Sequence, residues 1–254
     1  MKTALIGYTG FVGSNLLNSF KFTHLYNSQN ISEIKDEVFD IIICAGVTAN
    51  KFWANNNASE DLMRINELLD HLRTVKANNF VLISTIDVYG YSQGVDEYSI
   101  ISNNNHAYGL NRKFFELQVL TLFDNVLTIR LPGLFGRGLK KNVIYDLLNN
   151  NCLDMINPES EFQYYNLDNL YSDINLAISS GLKLVNFVSE PIRTSNIINL
   201  FFPNKIVGFN MVPTVKYDIQ SIHSVIWGNN TRYLYNRDSI MDELRSFVDD
   251  YNKI

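Results

Sequence analysis

The sequence predicts an α/β protein: a doubly wound parallel sheet with a small C-terminal lobe. Three observations predict this. The short apolar run Thr3-Ala4-Leu5-Ile6 leads straight into glycines spaced three apart, Gly7, Gly10 and Gly13, and then into a segment that reads as a helix over 14–20. Apolar runs of strand length then alternate with segments of helical period, the pattern of a parallel sheet covered on both faces. Beyond about residue 137 the pattern becomes mixed, with short elements and most of the loops. The expected division is 1–136 for the sheet domain, with a late return at about 160–190, and 137–254 mainly for the smaller lobe.

Taken in order, each element has its own justification. In a strand–turn–helix of this kind the first glycine makes the tight turn. The second lets backbone approach a phosphate, and the third lets helix pack on strand. The anion rests on the unpaired amides and positive dipole end of the helix. Gly7, Thr9, Gly10, Phe11, Val12 and Gly13 are therefore expected to cradle the pyrophosphate of a dinucleotide. His24-Leu25-Tyr26-Asn27 reads as a second strand, and Phe39-Asp40-Ile41-Ile42-Ile43-Cys44 as a third, ending at Ala45-Gly46. Leu62, Ile65, Leu68, Leu69 and Leu72 recur at the helical period within a helix expected over 58–77. Phe80-Val81-Leu82-Ile83-Ser84-Thr85 is the next strand, 108–123 the next helix, and Val126-Leu127-Thr128-Ile129-Arg130 another strand.

Bulk properties close off several classes. A chain of 254 residues can bury a substantial core. Its 46% hydrophobic and 19% charged residues are ordinary for a globular protein. The net charge of −5 argues against a nucleic-acid binder, which would show a basic face. Met1-Lys2 runs into the first strand with no cleavage site after it, so no signal peptide is expected. No apolar run reaches the roughly 20 residues of a membrane span. Cys44 and Cys152 match no metal or disulfide spacing and are expected to be reduced thiols in a cytoplasmic protein. His24, His71, His106 and His223 are scattered, and no metal site is expected.

Ser84-Thr85-Ile86-Asp87-Val88-Tyr89-Gly90, followed by Tyr108-Gly109-Leu110-Asn111-Arg112, resembles the extended short-chain dehydrogenase/reductases, a family of nucleotide-sugar epimerases, dehydratases and reductases on a Rossmann-type fold. The resemblance covers nearly the whole chain. Ala45-Gly46-Val47 resembles the family's cofactor-touching turn, Asn66 its structural asparagine, and the Pro132-Gly133-Leu134 segment its turn beside the nicotinamide. Residues 162–178, 185–192 and 217–221 resemble later family segments in the correct order. Ala45, Gly46, Val47, Asn66, Pro132, Gly133 and Leu134 are accordingly expected to touch NAD or NADP.

The chemistry follows from side chains. Hydride can reach or leave a carbinol carbon only if the attached oxygen gains or loses a proton, and a tyrosine with reference pKa about 10 must be tuned to do this. A neighbouring cation favours its phenolate. The resemblance assigns Thr85 to hold the substrate oxygen and Tyr108 to act as acid/base. Arg112 stands where the family has lysine, four residues on and on the same helix face. Arginine can supply charge but cannot pass a proton along. Either Arg112 substitutes for the lysine, or the protein is a catalytically silent dinucleotide-binding sensor or assembly partner. Ile86 stands where related dehydratases carry an acid, which disfavours dehydration and leaves epimerisation or keto-sugar reduction.

An acid after the second strand would select NAD and an arginine NADP. Asn27 and Ser28 stand there, so both cofactors stay open. For substrate, expected to be a nucleotide sugar, Lys140 and Asn142 in the loop Arg137-Gly138-Leu139-Lys140-Lys141-Asn142 suit a diphosphate, or form a solvated basic loop. Asp87 either binds a sugar hydroxyl or is a solvated loop carboxylate. Tyr164 and Tyr165 either stack on a base or sugar, or are core. A homodimer is a compatible assembly.

Overall fold

The computed structural model describes residues 1–208, 210, 212–251 and 253. In chain order the principal elements are β1 (Thr3–Ile6), α1 (Phe11–Ser19), β2 (His24–Tyr26), β3 (Val38–Cys44), α2 (Lys51–Asn56), α3 (Ala58–Leu72), β4 (Lys76–Thr85), β5 (Gln93–Val95), α4 (Ala107–Leu122), β6 (Val126–Leu131), β7 (Gly133–Phe135), α5 (Val143–Asn149), β8 (Glu161–Phe162), β9 (Tyr164–Asn166), α6 (Leu170–Ser179), β10 (Leu184–Asn186), β11 (Ile192–Arg193), α7 (Thr194–Phe201), β12 (Asp218–Ile219) and α8 (Arg237–Tyr251).

The expected doubly wound sheet is present. Six strands lie in the order β10-β6-β4-β3-β1-β2, and the pairs β2–β1, β1–β3, β3–β4 and β4–β6 are parallel. From β1 the chain steps outward to β2, then crosses back to place β3 on the other side of β1. That reversal is a topological switch point, and ligands of such sheets bind outside the carboxyl ends of the strands flanking it. Ile6 pairs with Cys44 at those ends, and the Ala45 amide donates to Ile6 O at 2.9 Å.

Strand interiors are apolar because both sheet faces are covered. Ala4, Ile6, Ile42, Phe80 and Leu82 join Ile65, Leu69 and Leu72 of α3 and Phe115 and Val119 of α4 in one buried cluster. Phe80 stacks on Phe123 with ring centres 4.2 Å apart. Burying each such side chain stabilises by about 1.5–3 kcal/mol. The helix expected over 58–77 stops at Leu72, and Lys76 already pairs with Val38 as the first residue of β4. Val75 keeps the helical apolar spacing from Leu68 and Leu72 past the end of the helix, while Ala77 pairs with Phe39 in the sheet.

The chain forms two compact units. One comprises Met1–Tyr91, Ser99–Leu131 and Asp168–Val185, and holds the sheet. The other comprises Ser92–Tyr98, Pro132–Leu167 and Asn186–Ile254. In the second unit β7 pairs with β9, β8 with β11 and β5 with β12. Gln163 is buried and ties two of these segments together, donating to Ser189 O and Ile219 O at 2.6 and 2.7 Å. Tyr164 and Tyr165 are core: both are fully buried, and Tyr165 packs on Phe187 with ring centres 5.5 Å apart.

Candidate functional site

The glycine turn sits at the switch point. Gly7 has φ +85°, and its amide donates to Tyr26 O at 2.7 Å. A side chain there would meet Ala45 O at 2.4 Å, so Gly7 is what lets the β1 turn approach the turn after β3. Gly10 is different. A Cβ on it would meet only Gly7 O, at 3.3 Å, and the residue is exposed. The fold itself therefore demands glycine less strictly at position 10 than at position 7. No side chain caps α1 and no acid lies in its first turn, so the amides of Phe11, Val12 and Gly13 are offered to an anion. Those features fit a pyrophosphate. Asn27 and Ser28 follow β2, where Asn27 donates to Tyr8 Oη at 3.2 Å and accepts from the Gln29 amide at 2.8 Å.

Thr85 ends β4 at the same carboxyl edge. Its Oγ1 accepts from the Asp87 amide at 3.2 Å, and its hydroxyl, beside the Tyr108 phenol, favours the ionised form of that phenol. A hydroxyl that accepts from the backbone keeps its single proton for the phenol oxygen. Tyr108 stands in the first turn of α4, 7% exposed, with its amide donating to Asn55 Oδ1 at 2.9 Å. Gly109 allows that helix start to close on the loop after β4, since a Cβ there would lie 2.4 Å from Asp87 O. Burial pushes the Tyr108 phenol up; Arg112 pulls it down, Asp87 raises it, and Thr85 and Lys51 lower it, with a net upward shift. The expected depression by Arg112 acts in the expected direction but does not outweigh burial.

Arg112 is anchored rather than poised. Its Nη1 donates to Asp61 Oδ2 and its Nη2 to Thr48 O, while Cζ lies 4.2 Å from the centre of the Tyr108 ring. Both members of the Arg112–Asp61 pair are buried, and Asp61 also accepts from Asn111 Nδ2 at 2.8 Å. The guanidinium thus lies over the ring face with its fork committed. Beneath the strand end, Arg130 grips Glu116 through two hydrogen bonds of 3.0 and 2.6 Å, and Ser84 Oγ donates to the same carboxylate.

Solved structures share this arrangement of elements. No family model matches the sequence, and no curated protein matches it in sequence. A UDP-glucose 4-epimerase from Thermotoga maritima, with UDP-glucose, superimposes with TM-score 0.78 at 12% identity over 100% of this chain and 99% of that one. MoeE5, in complex with UDP-glucuronic acid and NAD, does so with TM-score 0.77 at 12% identity over 100% and 99%. A dTDP-4-dehydrorhamnose reductase from Yersinia enterocolitica gives TM-score 0.74 at 15% identity over 99% and 100%. The chain has their fold.

Of the residues expected at the site, the first unit brings together Thr85, Asp87, Tyr108 and Arg112, and sets the glycine turn and Ala45-Gly46-Val47 along the same strand ends. Asp87 is not a solvated loop carboxylate. It pairs with Lys51 at 2.7 Å, faces His106 Nε2 at 3.9 Å, and is held below the usual carboxylate range because His106 and Lys51 outweigh its burial. Asn66 lies elsewhere. It is exposed on α3 and donates to Leu62 O of its own helix, whereas Asp61, about 140° round the helix, is the residue turned inward. Pro132, Gly133 and Leu134 belong to the second unit, where Gly133 pairs with Tyr164. In that unit Asn142 caps α5, accepting from the Tyr145 amide and donating to Leu134 O, so both ends of its amide are engaged, while Lys140 is exposed. Lys51, Asn55, Asp61 and His106 are the site residues the sequence did not reveal.

Among the described residues no helix is long and apolar enough to cross a membrane.

Proposed function

We propose that the chain is an extended short-chain dehydrogenase/reductase that binds NAD or NADP and epimerises or reduces a nucleotide-linked sugar. The observation that carries this reading is the grouping of Thr85 at the end of β4 with Tyr108 and the Arg112 guanidinium over its ring, at the carboxyl edge of the sheet, with the glycine turn on the same edge. The cofactor would be held by the amides of the α1 N-terminus, by Ala45, Gly46 and Val47, and by Asn27 and Ser28. It would supply or accept hydride.

The chain's own residues handle the proton and the orientation. Thr85 and Tyr108 together hold the reacting oxygen of the sugar, and Tyr108 exchanges a proton with it. A phenol whose burial keeps it protonated is in the form that donates to a carbonyl oxygen as hydride arrives. Ile86 is buried and cannot donate a proton, so dehydration is not part of the reading. The second unit is proposed to bind the substrate's nucleotide through the basic loop around Lys140, with Asn142 shaping the loop as a cap. A homodimer and a cytoplasmic location complete the reading.

Tyr108→Phe tests it. The substitution removes one hydroxyl and conserves the ring under Arg112, so the urea midpoint and the dinucleotide affinity measured by calorimetry should stay near wild type. Turnover of a UDP- or dTDP-linked sugar, followed by product analysis because an epimerase regenerates its cofactor, should fall by about 10²-fold or more. Wild-type turnover in the variant would remove Tyr108 from the chemistry. Dinucleotide binding without turnover in the wild type would leave only the binding half of the reading.

A further inference from the structure

The family resemblance expects a lysine at position 112. The chain has Arg112 there, but a lysine reaches the same site from another element. Lys51 opens α2, directly after the Asn50 cap, and its Nζ lies 2.7 Å from Asp87 Oδ1. Asn55 lies four residues further along, on the same helix face. It accepts from the Tyr108 amide at 2.9 Å. One short helix thus holds the start of α4 with one side chain and brings an ammonium to the Thr85–Asp87 loop with the other.

The charges around Tyr108 come from every neighbouring element. Arg112 contributes from α4 itself, and is tied to Asp61 of α3. Asp87 contributes from the loop after β4. His106 caps α4, with its ring centre 6.2 Å from that of Tyr108 and Nε2 3.9 Å from Asp87. Lys51 contributes from α2. Among the cations Arg112 has its planar fork spent on Asp61 and Thr48, and its carbon lies over the ring face. Lys51 is a compact charge on a flexible four-carbon stem, and its side chain is 41% exposed.

We infer that Lys51 is a second cation of this site, positioned by α2 against Asp87 to act on the Tyr108 hydroxyl beside Arg112, whose guanidinium is fixed over the ring face. The catalytic meaning of this rests on Tyr108 being the acid/base of the preceding reading; the electrostatic coupling itself does not. Lys51 is a positioning residue, acting through Tyr108 and Asp87. Its charge draws the phenol towards ionisation, and Asp87 opposes it.

The test titrates Tyr108 in the intact protein without substrate or cofactor. Tyrosines are replaced biosynthetically by 3-fluorotyrosine, whose more acidic phenol titrates in an accessible range, and the Tyr108 fluorine resonance is assigned from its loss in Tyr108→Phe. Lys51→Met should raise the Tyr108 pKa by about half a unit or more, less than the roughly 1–3 units of a charge in direct contact because Lys51 bonds Asp87. Lys51→Arg should leave it near wild type, and Asp87→Asn should lower it. Lys51→Met made in the Asp87→Asn background should still raise it, which separates the charge of Lys51 from the release of Asp87. Should Lys51→Met shift the urea midpoint, Lys51→Gln, which keeps a hydrogen bond without the charge, carries the same comparison. Identical titrations of Asp87→Asn with and without Lys51→Met or Lys51→Gln would overturn the inference. Absence of turnover or of NAD binding in the wild type would instead overturn the functional reading and leave this titration unaffected. Where turnover is present, the basic limb of kcat/KM should move upward in Lys51→Met by the same amount.

Discussion

Arg112 keeps the four-residue helical spacing from Tyr108 that the family resemblance rests on, yet its side chain does different work. Its guanidinium is buried against Asp61, Thr48 O and the Tyr108 ring. Removing one partner of a buried ion pair leaves the other charge unpaired, which costs about 3–5 kcal/mol. Asp61→Ala is therefore expected to lower the urea unfolding free energy by that amount, with the Tyr108 ring losing the cation fixed over its face. A change below about 1 kcal/mol would show that the pair contributes nothing net. The spacing 108/112 was legible because it is local. Asp61 was not, since an acid in the first turn of a helix reads as a response to the helix dipole. Its partner lies 51 positions away in the sequence. Lys51 was hidden in the same way, within an asparagine-rich stretch that carries no period, and its partner Asp87 is 36 positions away.

The glycine turn divides its three residues by what each glycine is for. A Cβ on Gly13 would lie 2.2 Å from Gly7 O, inside backbone that cannot yield without moving α1 off the sheet. Gly13→Ala should therefore destabilise by about 1–3 kcal/mol or more, the scale of overpacking, read from the shift in urea midpoint. Gly10→Val meets a milder obstacle, a Cβ 3.3 Å from Gly7 O, and should destabilise less than Gly13→Ala. It places a β-branched side chain where backbone would meet a pyrophosphate. Calorimetry should then find no dinucleotide binding in a folded variant. Unchanged affinity would show the turn to be a structural connection only. The turn was legible because strand, glycines and helix are contiguous. The end of α3 was not, because Val75 mimics its apolar period while the partners that draw Lys76 and Ala77 into the sheet, Val38 and Phe39, are distant in sequence.

At the scale of the molecule, the sheet is completed from a distance. The chain leaves the first unit at Leu131 and returns to it at Asp168, bringing α6 and then β10. All six residues of β6 are buried, with β4 on one side and β10 on the other. The Lys183 carbonyl accepts from Thr128 N at 2.8 Å, and Tyr171 of α6 stacks on Phe20 with ring centres 4.5 Å apart. Leu170, Ile174 and Ala177 of α6 are fully buried. A fragment of residues 1–131 keeps the glycine turn, Thr85, Tyr108, Arg112 and Lys51, but it leaves β6 as an apolar open edge, a template for association. We expect that fragment to aggregate and to lack the cooperative urea transition of the whole chain, although every residue assigned to the proton chemistry is in it. Sedimentation and a urea titration followed by circular dichroism decide the matter. A monomeric fragment with a cooperative transition would show that five strands suffice, and that the returning α6 and β10 serve some purpose other than closing the sheet.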